Sequence, residues 1–161
     1  ADRQLGRLSR LTQNVARLRA AGVVAVACDM SRRPPFRGAF DEVLVDAPCT
    51  GLGALRRRPE ARWRRTPADV PALARLQREL LASAIELTRP GGVVLYATCS
   101  PHLAETVGVV SDALRRHPVS ALDTRPLFAP IGELGDGPFV QLWPHRQGTD
   151  AMFAAALRKN L

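Results

Sequence analysis

Two short segments hold the residues best suited to chemistry: Asp46-Ala47-Pro48-Cys49 and Thr98-Cys99-Ser100. Each follows directly on a short apolar run, residues 42–45 and 93–97, so both cysteines are expected just beyond the carboxyl ends of buried strands. A cysteine there acts as a nucleophile only as its thiolate. The free thiol titrates near ~8.5, so Cys99 needs a local dipole or charge to ionise at neutral pH. Cys28 lacks comparable flanking residues and reads as a small core residue. Three widely spaced cysteines fit neither a disulfide framework nor a paired CxxC metal site, which leaves reduced thiols as the expected state. The spacing Cys99-x-x-His102 is that of a ligand pair, but two residues do not make a zinc site. No bound metal is expected. A Cys–His hydrolase would need a third, orienting group, and none can be nominated.

The elements that position these residues alternate along the chain. Leu5, Leu8, Leu11, Val15 and Leu18 recur at three- and four-residue spacing, which predicts an amphipathic helix over residues 3–19 that stops at Gly22. Residues 23–27 form an apolar run of strand length before Asp29. After a Pro-Arg loop, residues 42–45 are apolar on both faces, as in a central parallel strand. Residues 50–66 read as an ordered, arginine-dense loop. A helix is predicted from about Thr66, with Pro67 at its first position, through Leu87, and Arg89-Pro90-Gly91-Gly92 ends it. A further helix is predicted over residues 103–116. Residues 117–137 carry a weak, Pro-rich signal. Two strand candidates close the chain, residues 139–142 and 152–157, separated by a polar turn at 145–150. Helices alternating with short apolar strands imply a doubly wound α/β sheet, whose ligands bind at the carboxyl ends of its strands. Asp29, Asp46 with Cys49, and Cys99 all fall there.

The chain has 161 residues, 46% hydrophobic and 24% charged, enough for a domain with a real core. No apolar stretch approaches membrane-spanning length and no signal-peptide pattern opens the sequence, so a cytoplasmic protein is expected. The formal charge is +8, and every basic residue except Lys159 is arginine. Codon bias accounts for arginine over lysine but not for the net excess, which favours a polyanionic partner such as nucleic acid. The opening helix has no strand before it, as expected of a segment of a longer protein.

Taken with their neighbours, the two cysteine segments resemble the motifs of RNA cytosine-5 methyltransferases of the RsmB/Sun family. The resemblance continues through Leu55-Arg56-Arg57-Arg58-Pro59 and Trp63, the helix bearing Gln77, Pro90-Gly91-Gly92 before Tyr96-Ala97-Thr98-Cys99-Ser100, then Glu105, and finally Gly148-Thr149-Asp150. It covers essentially the whole chain. Two departures are Thr106, where the family often has Asn, and Ala151-Met152, where Gly-Phe is usual.

The resemblance implies a Rossmann-like S-adenosylmethionine-dependent methyltransferase fold with a mostly parallel sheet. Residues 1–161 would be the C-terminal portion of one catalytic domain, incomplete at its N-terminal side because the first strand and the Gly-rich donor loop are missing. In that topology the strand at 23–27 lies at the sheet edge, apart from the strand at 42–46, and this segment alone would be inactive.

The chemistry implied has a clear physical demand. Carbon 5 of cytosine is too weak a nucleophile to take a methyl group from a sulfonium, so a thiolate must first add at carbon 6 and push electron density onto carbon 5. By resemblance Cys99 is that nucleophile, Asp46 contacts the base edge near N3, and Cys49 helps to release the product. Asp46 could equally cap the turn that follows it. The donor, S-adenosylmethionine, would be held by Asp2 at the ribose hydroxyls, Asp29 near the adenine, and Asp46 with Pro48. Asp2 also reads as a helix cap and Asp29 as a turn residue. Arg56, Arg57, Arg58 and Trp63 would contact RNA, with ribosomal RNA the expected substrate. The complete enzyme is expected to be a monomer.

Two other functions remain open from the sequence. A Pro-Cys dipeptide after a strand is also the nucleophile signature of DNA cytosine-5 methyltransferases, which would use Cys49. A non-catalytic RNA-binding remnant of such an enzyme would keep the fold and lose the donor site.

Overall fold

The computed structural model describes residues 1–32, 34–37 and 40–161. The chain divides into two compact units, Ala1–Arg37 and Gly38–Leu161.

The first unit is built around helix α1, Leu5–Leu18, which ends where Arg19 takes a left-handed conformation. The apolar run at 23–27 does not form a ladder strand. It makes a single parallel bridge, Ala27 to Asp2, through Asp2 N–H to the Val26 carbonyl at 3.1 Å and Cys28 N–H to the Asp2 carbonyl at 3.2 Å. The expectation of a strand is corrected here, because a strand is defined by its neighbour and only one residue pair bridges it. Val24 is accordingly 80% exposed.

The second unit carries the sheet. Its elements are β1 Phe40–Asp46, α2 Ala61–Arg64, α3 Asp69–Leu87, β2 Thr88–Thr98, α4 Val107–Arg116, β3 Val119–Leu122, β4 Val140–Gln141, α5 Pro144–Gln147 and β5 Phe153–Lys159. Strand order is β1-β2-β5-β3, with β4 also paired to β5. β1 and β2 are parallel, and β5 runs antiparallel to β2, β3 and β4. Four strands therefore point one way and β5 alone opposes them, a mixed α/β sheet.

Sheet and helices are joined by alternation. Val94 and Tyr96 of β2 and Ala155 and Leu157 of β5 point to one face, where Leu81 and Ile85 of α3 and Val109 and Val110 of α4 cover them. Each Val, Leu or Ile side chain among them contributes roughly 1.5–3 kcal/mol by leaving water. α3 begins with Asp69, whose carboxyl accepts the Thr66 N–H at 2.8 Å, and ends with the Lys159 ammonium on the carbonyls of Ile85 and Thr88 at 2.8 and 2.7 Å. A cation on unpaired C-terminal carbonyls offsets the helix dipole.

Several boundaries differ from expectation. Among the described residues β1 pairs with β2 alone. Val43 and Val45 pack on the core, while Leu44, which alternation turns to the opposite face, is 65% exposed. The predicted helix at 103–116 opens as a 3-10 turn, Leu103–Glu105, before α4. The weak region holds β3, a four-residue strand too short to leave a periodic signal. No helix among the described residues is long and apolar enough to cross a membrane.

Candidate active site

The parallel register of β1 and β2 sets Asp46 opposite Ala97, and the Ala47 N–H continues the ladder to the Ala97 carbonyl at 3.0 Å. Both strands thus end at the same level. Cys49 lies three residues past the end of β1 and Cys99 one past the end of β2. Their sulfurs meet at 3.4 Å. Sequence separation told nothing of this contact, because it depends on the register of two strands fifty residues apart.

The two thiols are not equivalent. Cys99 is half-buried and Cys49 buried. The hydrogen bond that Cys49 S–H donates to Cys99 is the largest influence on both, bringing the Cys99 thiol down to about 7 and pushing the Cys49 thiol up. Burial adds to the rise of Cys49 and, with the Asp46 charge, works against the fall of Cys99, while the Cys99 N–H and the Arg58 guanidinium favour its thiolate. The arrangement therefore supplies one thiolate near neutral pH beside one thiol that keeps its proton. Asp46 and Pro48 are exposed at the same strand end.

Behind the sulfurs lies a buried polar cluster to which the sequence assigned no role. Glu105, with no exposed surface, accepts the Thr50 N–H at 2.8 Å, the Thr50 hydroxyl at 2.5 Å, the Ser100 hydroxyl at 2.6 Å and the Gln77 amide at 3.1 Å. Gln77 also donates to the Pro48 carbonyl at 2.9 Å. Each cysteine is followed by a hydroxyl residue, Thr50 or Ser100, and that symmetry was the available signal. Gly53 completes the support, its N–H on the Cys99 carbonyl at 3.0 Å and its carbonyl taking the Ala151 N–H at 2.9 Å.

The arginine-dense loop divides by partner. Arg56 and Arg57 both bind the carboxyl group of Asp150, through Nε atoms at 2.8 Å, which holds that buried carboxyl down to about 2. Arg65 donates to the Thr50 carbonyl at 3.2 Å. Arg58 is exposed, and Trp63 is 83% exposed. A tryptophan so open packs little of its ring against its own unit.

In the first unit, Asp2 and Asp29 stand at the ends of the two bridged segments. The Asp2 carboxyl accepts the Gln4 N–H at 2.8 Å and pairs with Arg7 at 3.5 Å. Asp29 accepts the Ser31 N–H and hydroxyl at 3.0 and 2.7 Å, which lowers its pKa. Each acid closes a turn with one oxygen and keeps its side chain about a third exposed, at 29% and 33%. The second oxygen of each faces an arginine, Arg7 at 3.5 Å from Asp2 and Arg32 at 3.9 Å from Asp29. His102 instead uses its ring Nδ1 to accept the Ala104 N–H at 3.1 Å.

Fold and site together define an S-adenosylmethionine-dependent methyltransferase architecture. The structure of NSun6 from Pyrococcus horikoshii with SFG superposes with a TM-score of 0.86 at 32% identity, covering 98% of this chain and 40% of that one. The family model described as 16S rRNA methyltransferase RsmB/F matches residues 1–158, and the chain belongs to that family. It is 33% identical over 158 residues to the tRNA (cytosine(72)-C(5))-methyltransferase of P. horikoshii, covering 98% of this chain and 39% of that protein. A Mycobacterium tuberculosis protein described at the level of methyltransferase is 85% identical over 121 residues, 74% of this chain and 26% of that protein. The chain thus spans between a quarter and two-fifths of the length of these relatives.

Proposed function

We propose that this chain carries the catalytic residues of an RNA cytosine-5 methyltransferase acting on ribosomal RNA in the cytoplasm. The observation that supports this reading most directly is the pair of sulfurs 3.4 Å apart with opposite tendencies to ionise. The Cys99 thiolate adds to carbon 6 of the base, and the electron pair displaced from the 5,6 double bond makes carbon 5 nucleophilic. Asp46 hydrogen-bonds the base edge near N3, which favours addition. S-adenosylmethionine, when bound, supplies an electrophilic methyl group. After carbon 5 has been methylated it gives its proton to a solvent water, the electron pair of that C–H bond re-forms the double bond, and the Cys99 sulfur leaves carbon 6 with the electron pair of the C–S bond. Cys49 holds the proton that stabilises the departing thiolate, and a thiol of lowered pKa is the better leaving group.

By family resemblance, Asp2 and Asp29 are the proposed donor contacts of the first unit, and Asp46 and Pro48 those of the second. Arg58 and Trp63 are the best placed of the basic loop for RNA, since Arg56 and Arg57 already share Asp150. Within this reading the 161 residues are a portion of one catalytic domain, and the complete enzyme works as a monomer.

The test is trapping of the complete protein on RNA containing 5-fluorocytosine, where fluorine at carbon 5 blocks the final proton loss. The adduct is expected on Cys99, with Cys99→Ser abolishing it and Cys49→Ser accumulating adduct on unmodified cytosine. A crosslink through Cys49 would move the nucleophile there, as in the DNA enzymes, and absence of any adduct would favour a non-catalytic RNA-binding remnant.

A further inference from the structure

We propose that Glu105 is a positioning residue that holds the two cysteine-bearing loops together and so keeps the Cys49 and Cys99 sulfurs in contact. The proposal rests on the reading of those thiols given above and adds a residue to it.

Glu105 touches neither sulfur. Its reach is to the residue after each cysteine, and one of its oxygens, Oε2, binds both loops. Oε1 takes the Thr50 backbone N–H, and Oε2 takes the hydroxyls of both Thr50 and Ser100. The two hydroxyls also lie 3.3 Å from each other. A single carboxyl group thus spans the gap between the loop after β1 and the loop after β2. Gln77 from α3 binds the same oxygen as the Thr50 N–H and also the Pro48 carbonyl, which fixes the first loop one residue before Cys49. The Glu105 main chain is fixed in turn, since its carbonyl accepts the buried Tyr96 hydroxyl at 2.7 Å. Four hydrogen bonds to one fully buried group, each costly to leave unmade, favour a single geometry.

The consequence for chemistry is steep in distance. A thiol hydrogen bond reaches about 4 Å at most, so an outward shift of either loop by ~1 Å would break the contact at 3.4 Å. Cys99 would then lose the donor that most favours its thiolate. The other charges facing it, Asp46 at the end of β1 and Arg57 and Arg58 on the basic loop, oppose one another and would remain.

Alkylation of the complete protein by iodoacetamide, followed residue by residue by mass spectrometry across pH, reads this without RNA or donor. Failure of the proposal is therefore distinguishable from failure of the methyltransferase reading, which trapping on 5-fluorocytosine RNA tests. In the wild type, Cys99 should react with a midpoint of about 7, while Cys49 stays protected. In Glu105→Ala the Cys99 midpoint should climb toward ~8.5 and its high-pH plateau rate should rise several-fold, because a more basic thiolate is more nucleophilic. Glu105→Gln, which keeps one acceptor oxygen and can donate to the two hydroxyls, should restore a midpoint near that of the wild type. General unfolding would differ, since all three cysteines would then react alike. If Glu105→Ala does not melt cooperatively, Ser100→Ala decides instead, as it frees one loop and leaves the carboxyl group its other partners. A folded Glu105→Ala or Ser100→Ala protein with an unshifted Cys99 midpoint overturns the proposal.

Discussion

Gly53→Ala should damage both stability and chemistry, although the added methyl group touches neither sulfur. A Cβ at Gly53 would lie 2.0 Å from the Ala151 carbonyl oxygen and 2.8 Å from that of Cys99. Carbon and oxygen approach comfortably at ~3.3 Å, so the shortfalls are about 1.3 and 0.5 Å. Both obstacles are backbone atoms and no side-chain rotation relieves them. Overpacking of this kind costs about 1–3 kcal/mol. Relief by moving the Gly53 segment also stretches its hydrogen bonds to Cys99 and Ala151, each worth ~0.5–1.5 kcal/mol net. The sum, roughly 2–6 kcal/mol, is a large part of a domain's ~5–15 kcal/mol. Urea unfolding of the complete protein should show this loss, and trapping on 5-fluorocytosine RNA should slow by ~100-fold if the Cys99 loop moves by about 1 Å. A variant within ~0.5 kcal/mol of wild type that traps RNA at the same rate would refute the close approach of these three loops and the reasoning built on it.

The covalent step should rise with pH through about 7 and then level off, because the Cys99 thiolate is the reactive form and the Cys49 hydrogen bond lowers its pKa. Cys49→Ala should move that midpoint upward toward ~8.5, measured by single-turnover trapping. Asp150 is held down to about 2 by Arg57 and Arg56. A carboxyl group so depressed contributes stability fully above its unfolded value of ~3.9, and that contribution is lost as pH falls through about 2. Asp150→Asn should therefore lower stability at neutral pH and flatten its dependence between pH ~4 and ~2, read by thermal melts. Arg58→Ala should reduce the slope of log affinity against log salt for single-stranded RNA by about 0.7 without changing the melt. Trp63→Ala should weaken binding by roughly 1–3 kcal/mol with the slope unchanged, and an unaltered affinity would assign that ring to solvent.

Element types were largely legible from periodicity. The helix containing Leu81 and Ile85 and the strand containing Val94 and Tyr96 announce themselves, because burial on one face selects apolar residues at helical or strand spacing. Partnership was not legible. Val43-Leu44-Val45 reads the same at the centre of a sheet as at its edge, and residues 23–27 read as a strand although only Ala27 bridges another segment. Pairing is a long-range property that a local pattern does not encode.

The candidate site divides along the same line. The sequence by itself singled out residue types suited to chemistry: two cysteines after apolar runs, Asp46 and an excess of arginine, with Asp2 and Asp29 added by family resemblance. Only the tertiary structure decided what those residues do to one another. The β1–β2 register brought two sulfurs to 3.4 Å, and unequal burial together with one hydrogen bond left the thiolate on Cys99. Asp150, ninety-three residues from Arg57, claimed two of the arginines that composition had offered to RNA. Glu105 became a clamp through contacts with Thr50 and Ser100. Ionisation and hydrogen bonding depend on distances of a few ångströms between residues far apart in the chain, and folding sets those distances.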